Sequence, residues 1–288
     1  MSKWKRKLQR LVHKGLPKII AYTISIIVVI IVLFPIIWMI PAAFKPRSEL
    51  FALPNTFFPK KPTIDNFKLM FNASVNGTKF ITSLGSTLLV SILATATSLT
   101  VNMFAAYGFA RFNFIGKKWL WVYFLISMFT PGITIMLTSI AVCYDLRMID
   151  TIWVLFVPGM ANTAGIFFFR QFFYGMPRSL EESAFVDGAS RFKIFLHIYL
   201  PNATTPIIIN GLGVFMGTWN SFIWPTLTIQ ENARLTQVSQ IINIMESRYS
   251  ANYGMIIAAT LVSVIIPLTL FALFQKKIIQ GVQLHGFK

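Results

Sequence analysis

The sequence predicts an all-α, polytopic membrane protein with six transmembrane helices. Three observations carry that reading. The chain is 55% hydrophobic and only 12% charged, with a mean hydropathy of +0.65, whereas a soluble domain carries about 25% charged residues. Six stretches of 19 residues or more contain no Asp, Glu, Lys or Arg, at 19–44, 80–110, 119–144, 151–169, 194–230 and 249–275, and no other such gap exceeds 11 residues. Lys and Arg are also shared unevenly between the segments that separate these stretches. A spanning helix needs about 20 mostly apolar residues, so each stretch has room for one.

At the N-terminus, Trp4, Leu8, Leu11, Val12 and Leu16 fall near helical spacing among basic residues. The segment 3–16 is either a short interfacial helix or a basic tail. The first span, about 19–40, holds 15 Ile, Leu, Val or Phe residues, and its length exceeds the roughly 7–15 residues of a signal-peptide core. The segment 41–80 is rich in Pro and Phe, which argues against a long helix there. The remaining spans fall at about 81–108, 119–141, 152–172, 203–224 and 254–275. Pro131-Gly132, Pro158-Gly159 and Pro267 lie inside three of them; each proline removes a backbone hydrogen bond and can kink its helix, though membrane helices also tolerate such residues without a special role. The domains that follow are a basic N-terminus (1–18), a first helix with an external segment (19–79), a core of five helices (80–275) containing a loop at 173–202, and a tail (276–288).

Orientation comes from Lys and Arg, which concentrate in cytoplasmic loops. Seventeen of the 26 sit on one side: seven in residues 1–18, three around Arg111–Lys118, four in 170–193 and three in the tail. Both termini and the loop after the fourth span are therefore expected in the cytoplasm. The net charge of +17 is accounted for by this bias and by attraction to anionic lipid; no basic–aromatic motif suggests a nucleic-acid partner. Cys143 is the only cysteine, so it forms no internal disulfide and is expected to pack.

The loop between spans 4 and 5 is out of keeping with its surroundings. Residues 179–201, SLEESAFVDGASRFKIFLHIYLP, hold three of the nine acidic residues. Ser179 followed by Glu182 has the spacing of a capping box. A first short helix is predicted over about 180–187, ended by Asp187-Gly188, because glycine adopts the left-handed conformation of a helix stop. Ser190 then caps a second helix over about 191–200, with Phe192, Phe195, Leu196 and Tyr199 on one face. The pattern is an elbow on the membrane surface, presenting Glu181, Glu182 and Asp187 to a cytoplasmic partner; a plain connector needs only a few residues.

These residues closely resemble the coupling-loop signature of ABC importer permeases: Glu182-Ser183-Ala184, then Gly188, then Ile198-Tyr199-Leu200-Pro201. Ser183 stands where the pattern has its central alanine. The segments 105–118, 128–151, 217–225 and 274–288 are similar to the carbohydrate-uptake branch, in particular to the second permease of the maltose system. The resemblance implies a type I importer permease fold in a bacterial cytoplasmic membrane. It implies partners: a homologous second permease, two ATPase subunits that bind ATP and Mg, an external solute-binding protein, and a sugar or oligosaccharide as substrate. It also implies that Glu181, Glu182, Ser183, Ala184, Asp187 and Gly188 dock on the ATPase, and that Gln280–Lys288 reach it too.

No G-x-x-x-x-G-K-[ST] occurs, so the chain lacks the loop that cradles nucleotide phosphates and is not expected to be an enzyme. His13, His197 and His285 have no metal-binding spacing. None of the six runs contains an acid, which argues against the rival reading of an ion-coupled secondary transporter. A permease for a non-sugar solute and a non-transporting scaffold are two further rivals. A neutral substrate path is read through Asn162, Thr163, Asn210, Trp219 and Asn220, since amides bond hydroxyls and indoles stack on sugar rings; the competing reading is helix-to-helix bonding by Asn and interface marking by Trp. Gly213 and Gly217 form a G-x-x-x-G pair suited to close helix contact.

Overall fold

A computed structural model of the protein describes residues 16–249 and 252–285. Residues 3–15 of the basic segment fall outside them. So do the side chains at 279–288, although the backbone is helical as far as His285. In chain order the helices are α1 (Leu16–Ala43), α2 (Arg47–Leu50) and α3 (Asp65–Asn72), then a hairpin of β1 (Ser74–Val75) and β2 (Thr78–Lys79), then α4 (Phe80–Arg111), α5 (Lys117–Ser127), α6 (Gly132–Asp145), α7 (Ile152–Phe156), α8 (Thr163–Gly175) and α9 (Ser179–Val186). After α9 come α10 (Arg191–Ile194), a π turn at Phe195–Tyr199, α11 (Leu200–Asn202), α12 (Thr204–Trp219), α13 (Ile223–Thr228), a 3-10 turn at Ala233–Leu235, α14 (Val238–Arg248) and α15 (Tyr253–His285).

All six apolar runs contain helix, but among the described residues three, in α1, α4 and α15, are single helices long enough to span a bilayer. The third run is broken: α5 and α6 meet at 108° across Met128–Pro131. Pro131 supplies no N–H and crowds the residue before it, which favours a break there. The fourth run breaks between α7 and α8 around Pro158-Gly159, and the fifth stops at Trp219 and restarts at Ile223. Pro267, by contrast, lies inside an unbroken α15.

Two compact units are present. One is drawn from residues up to Met70 and from Tyr249–Val262; the other from Phe71–Arg248 and from Ser263 onward. In the first unit, α1 is apolar all round and Ile19 to Phe34 are exposed, as lipid contact requires. Its end is tied to the segment that follows. The buried Asn66 side chain donates to the carbonyls of Ala43 and Lys45, both at 2.8 Å. The buried Lys45 ammonium donates to Asn55 Oδ1 at 3.1 Å and to the Thr56 carbonyl.

In the second unit α4 is the hub, with its most extensive contacts to α8 and α12. Its buried stripe is built from small residues: Ser83, Thr87, Ser91, Ala94, Ser98 and Ala106. Small side chains at three- and four-residue spacing let helices approach closely. Among the glycines of α12, Gly211 faces α4: an added Cβ there would lie 3.2 Å from Leu99 Cδ1. Gly213 and Gly217, the expected contact pair, have no neighbour within 4 Å of such a Cβ. The β1–β2 turn is Asn76-Gly77, both at positive φ, in keeping with the strong preference of tight hairpins for Asn-Gly.

Cys143 is buried with Val154 and Ile229 as neighbours in one small core. Beside it, Asp150 sits in the turn before α7, where its Oδ1 accepts the N–H groups of Gln230, Glu231 and Asn232 at 2.6, 3.0 and 3.4 Å. Partial burial pushes its pKa up, but the three backbone donors prevail and the carboxyl is held below the ordinary aspartate value. That stabilisation is present at neutral pH, starts to decline once pH falls through the ordinary aspartate range, and is gone below the depressed folded value. Asp150→Ala is expected to cost about 2 kcal/mol, the worth of hydrogen bonds to a charged acceptor, and to flatten the acid limb of stability against pH; thermal unfolding of the detergent-solubilised protein across pH measures both.

Candidate functional site: a polar elbow and a neutral cleft

The elbow forms as two short helices around a tight stop. α9 ends in a Schellman arrangement: Gly188, at φ +74°, donates its N–H to the Phe185 carbonyl at 3.0 Å, and Ala189 donates to Ala184 at 2.9 Å. Glycine meets this conformation without steric cost. The Ser190 hydroxyl caps α10 as expected, accepting the Lys193 N–H at 3.3 Å. Ser179 does not cap α9. The helix starts one residue early, with Arg178 at the cap position in a helical conformation and no side-chain cap bond, so the Ser179–Glu182 capping box is not formed. The π turn changes the buried face as well. Ile194, Phe195 and Tyr199 are buried while Phe192 is 59% exposed. An i→i+5 turn rotates the face away from the regular helical spacing.

Glu182, Ser183, Asp187 and Gly188 are exposed and Ala184 is half-buried. Glu181 is the departure from expectation: its carboxylate is buried inside the fold rather than presented outward. Tyr199 Oη donates to Glu181 Oε2 at 3.1 Å. Arg111 Nε lies 3.8 Å from the same oxygen, with side-chain exposures of 3% for Arg111 and 11% for Glu181; this is an ion pair too long for a hydrogen bond. The Arg111 guanidinium donates to the carbonyls of Phe173 and Met176, both at 2.6 Å, and stands over the Tyr199 ring. Tyr107 donates to the Arg191 carbonyl at 3.3 Å, and its ring lies 4.8 Å from that of Tyr199. The ends of α4 and α8, the helix α9 and the π turn thus meet at one buried charge pair.

The expected path residues separate. Asn162 and Asn210 line one cleft of about 450 Å³ with Gly165, Phe168 and Gly213. The Asn162 side chain is committed to the helix frame: it accepts the Gly165 N–H at 2.6 Å, capping α8, and donates to Ser98 Oγ at 3.0 Å. Asn102, fully buried on α4, accepts the Asn162 N–H at 3.1 Å and donates to Ser98 at 2.9 Å. Asn210 Oδ1 is buried and has no hydrogen-bond partner. Thr163 shares a hydrogen bond with Ser127 at 3.1 Å. Trp219 is buried against Phe215, and Asn220 is exposed at the end of α12. Ser98 and Asn102 do not stand out in the sequence; their signal is a serine and an asparagine one turn apart inside the second apolar run.

Two variants probe these knots. A Cβ on Gly165 would sit 2.6 Å from Asn102 Nδ2 and 2.8 Å from Asn162 Oδ1, so Gly165→Ala is expected to destabilise by roughly 1–3 kcal/mol as an overpacked site. Removing one member of a buried pair costs about 3–5 kcal/mol, so Arg111→Ala is expected to lower the unfolding temperature in detergent far more than Tyr199→Phe, which loses one hydrogen bond worth about 1.5–3 kcal/mol.

Comparison with known proteins places this geometry. Residues 98–282 match the family described as "Binding-protein-dependent transport system inner membrane component". The chain is 27% identical over 261 residues to the arabinooligosaccharides transport system permease protein AraQ of Halalkalibacterium halodurans, covering 90% of this chain and 92% of that one. It is 26% identical to the lactose transport system permease protein LacG of Rhizobium radiobacter, covering 93% and 96%, and 29% identical to the sn-glycerol-3-phosphate transport system permease protein UgpE of Yersinia enterocolitica, covering 91% and 95%. Its fold matches a chain from the crystal structure of a bacterial ABC transporter that imports the acidic polysaccharide alginate, with a TM-score of 0.78, 18% identity and coverage of 96% and 98%. The matched residues take in the C-terminal part of the hub helix, the elbow and the cleft, and the chain belongs to this family: it is an inner membrane component of a binding-protein-dependent transport system.

Proposed function

We propose that this protein is a membrane-spanning subunit of an ATP-driven bacterial importer for a sugar or oligosaccharide, working by alternating access. A homologous second permease completes the pathway. Two ATPase subunits hold ATP and Mg, and an external binding protein delivers the substrate. Both termini and the elbow face the cytoplasm, in line with the 17 Lys and Arg residues on that side. The elbow at 179–201 passes the ATPase's motion to the helices. The observation that carries this reading is the elbow's division of labour: an exposed tip with Glu182, Asp187 and Gly188 stands on a base locked by the buried Arg111–Glu181 pair. A push on the tip is thereby delivered to the ends of α4 and α8.

The sugar assignment is supported by the names of AraQ and LacG and by the neutral cleft. Its lining holds the Asn162 and Asn210 amides and no charged side chain. Asn210 lines the cleft, and its amide is of the kind that bonds a sugar hydroxyl. A phosphorylated solute, as named for UgpE, favours Arg or Lys at its site, which this cleft lacks.

Uptake of labelled sugar by the reconstituted complex tests the coupling. Gly188→Pro cannot adopt the left-handed turn and is expected to abolish ATP-driven uptake. Glu182→Ala removes an exposed contact acid and is expected to lower uptake about tenfold, in keeping with loss of one interface anchor. Full uptake together with full ATPase docking in both variants rejects the coupling role.

A further inference from the structure

The loop between α4 and α5 carries a second polar cluster that the transport reading does not use. A cleft of about 460 Å³ opens there, lined by Lys117, Lys118 and Arg170 with Phe114, Trp119 and Trp121 as walls. The Arg170 guanidinium stacks 3.9 Å from the Trp121 ring centroid and 5.6 Å from that of Tyr174. Its Nε is buried and has no hydrogen-bond partner. Lys117 donates one bond, to the Phe112 carbonyl at 2.7 Å, and feels the charges of both Arg170 and Arg178. Among the described residues the ion pairs are Lys68 with Asp65 and Arg111 with Glu181, so no carboxylate offsets this cluster. The start of α5 adds to it, because no side chain caps that end and free N–H groups at a helix start favour an anion.

What lies below the cleft selects the anion. Trp119 is 76% exposed, and Leu120, Tyr123 and Ile126 continue an exposed apolar flank down α5. Aromatic rings sit at the level of lipid headgroups and apolar side chains below them meet acyl chains. Cations at the headgroup level attract anionic lipid. From this juxtaposition we infer that the cleft binds the phosphate of an anionic phospholipid, held by Lys117, Lys118 and Arg170, with the acyl chains lying along α5. A soluble phosphate shares the charge chemistry but gains nothing from the flank.

Native mass spectrometry of the full chain in detergent, titrated with phosphatidylglycerol or phosphatidylethanolamine, tests this. Phosphatidylglycerol is expected to be retained preferentially. At about fivefold per cation near the membrane surface, Lys118→Gln should weaken that preference about fivefold and the Lys117→Gln/Lys118→Gln pair about 25-fold. Arg170→Gln should weaken it at least as much as Lys118→Gln. If loss of the Trp121 stack unfolds the Arg170 variant, the exposed Lys118 decides the matter alone. Equal binding of the two lipids by the unmodified chain overturns the inference, as does a preference unchanged in the lysine variants. Displacement of phosphatidylglycerol by excess inorganic phosphate identifies a soluble-anion site and overturns the lipid assignment; persistence of the lipid under that challenge supports it.

Discussion

The buried guanidinium of Arg111 governs the elbow end of this protein. Withdrawing a cation from water costs several kcal/mol even after relaxation, and only close, well-placed partners recover it. Here the partners come from different elements: two carbonyls at the end of α8, the Glu181 carboxylate on α9 and the Tyr199 ring in the π turn. None of these groups can drift without leaving a buried charge unpaired, so the elbow's base has a fixed position relative to α4. The exposed turn around Gly188 is then a rigid feature and not a loose loop.

A second constraint lies about three turns back along α4. Ser98, Asn102 and Asn162 form a closed set of hydrogen bonds in which one asparagine caps α8 and the other holds that cap in place. Polar groups among apolar helices are costly unless bonded, and the closed set satisfies most of them internally. Asn210 Oδ1, like the Ser83 and Ser91 hydroxyls on α4, is buried without a hydrogen-bond partner, and Asn210 lines a cleft with room for a guest. Asn162 is committed to the helix frame and Asn210 is not, although the sequence presents the two as equivalent.

Features set by local chemistry were legible before any coordinates. Charge-free runs pointed to the apolar helices, Gly188 to the stop of α9, and Ser190 to the cap of α10. Features set by distant partners were not. Glu181 and Glu182 are neighbours of one type, and only the approach of Arg111 from another helix decides that one is buried and the other exposed. Ser179 has the right spacing for a cap, yet it is already the first helical residue and Arg178 holds the cap position. Likewise Pro131 and Pro267 look alike in the chain; the first accompanies a corner and the second an unbroken helix, because whether a helix survives a proline depends on what its neighbours supply.

The corner between α5 and α6 has a bearing on what must surround this chain. A turn of 108° interrupts the regular helical ladder, although the N–H groups of Met128, Phe129 and Thr130 still bond the carbonyls three residues back, and Phe129 is 88% exposed there. Irregular backbone at membrane depth is tolerated only against protein or a water-filled space. Were the bend to lie within hydrocarbon, that flank would call for protein or water beside it and not acyl chains.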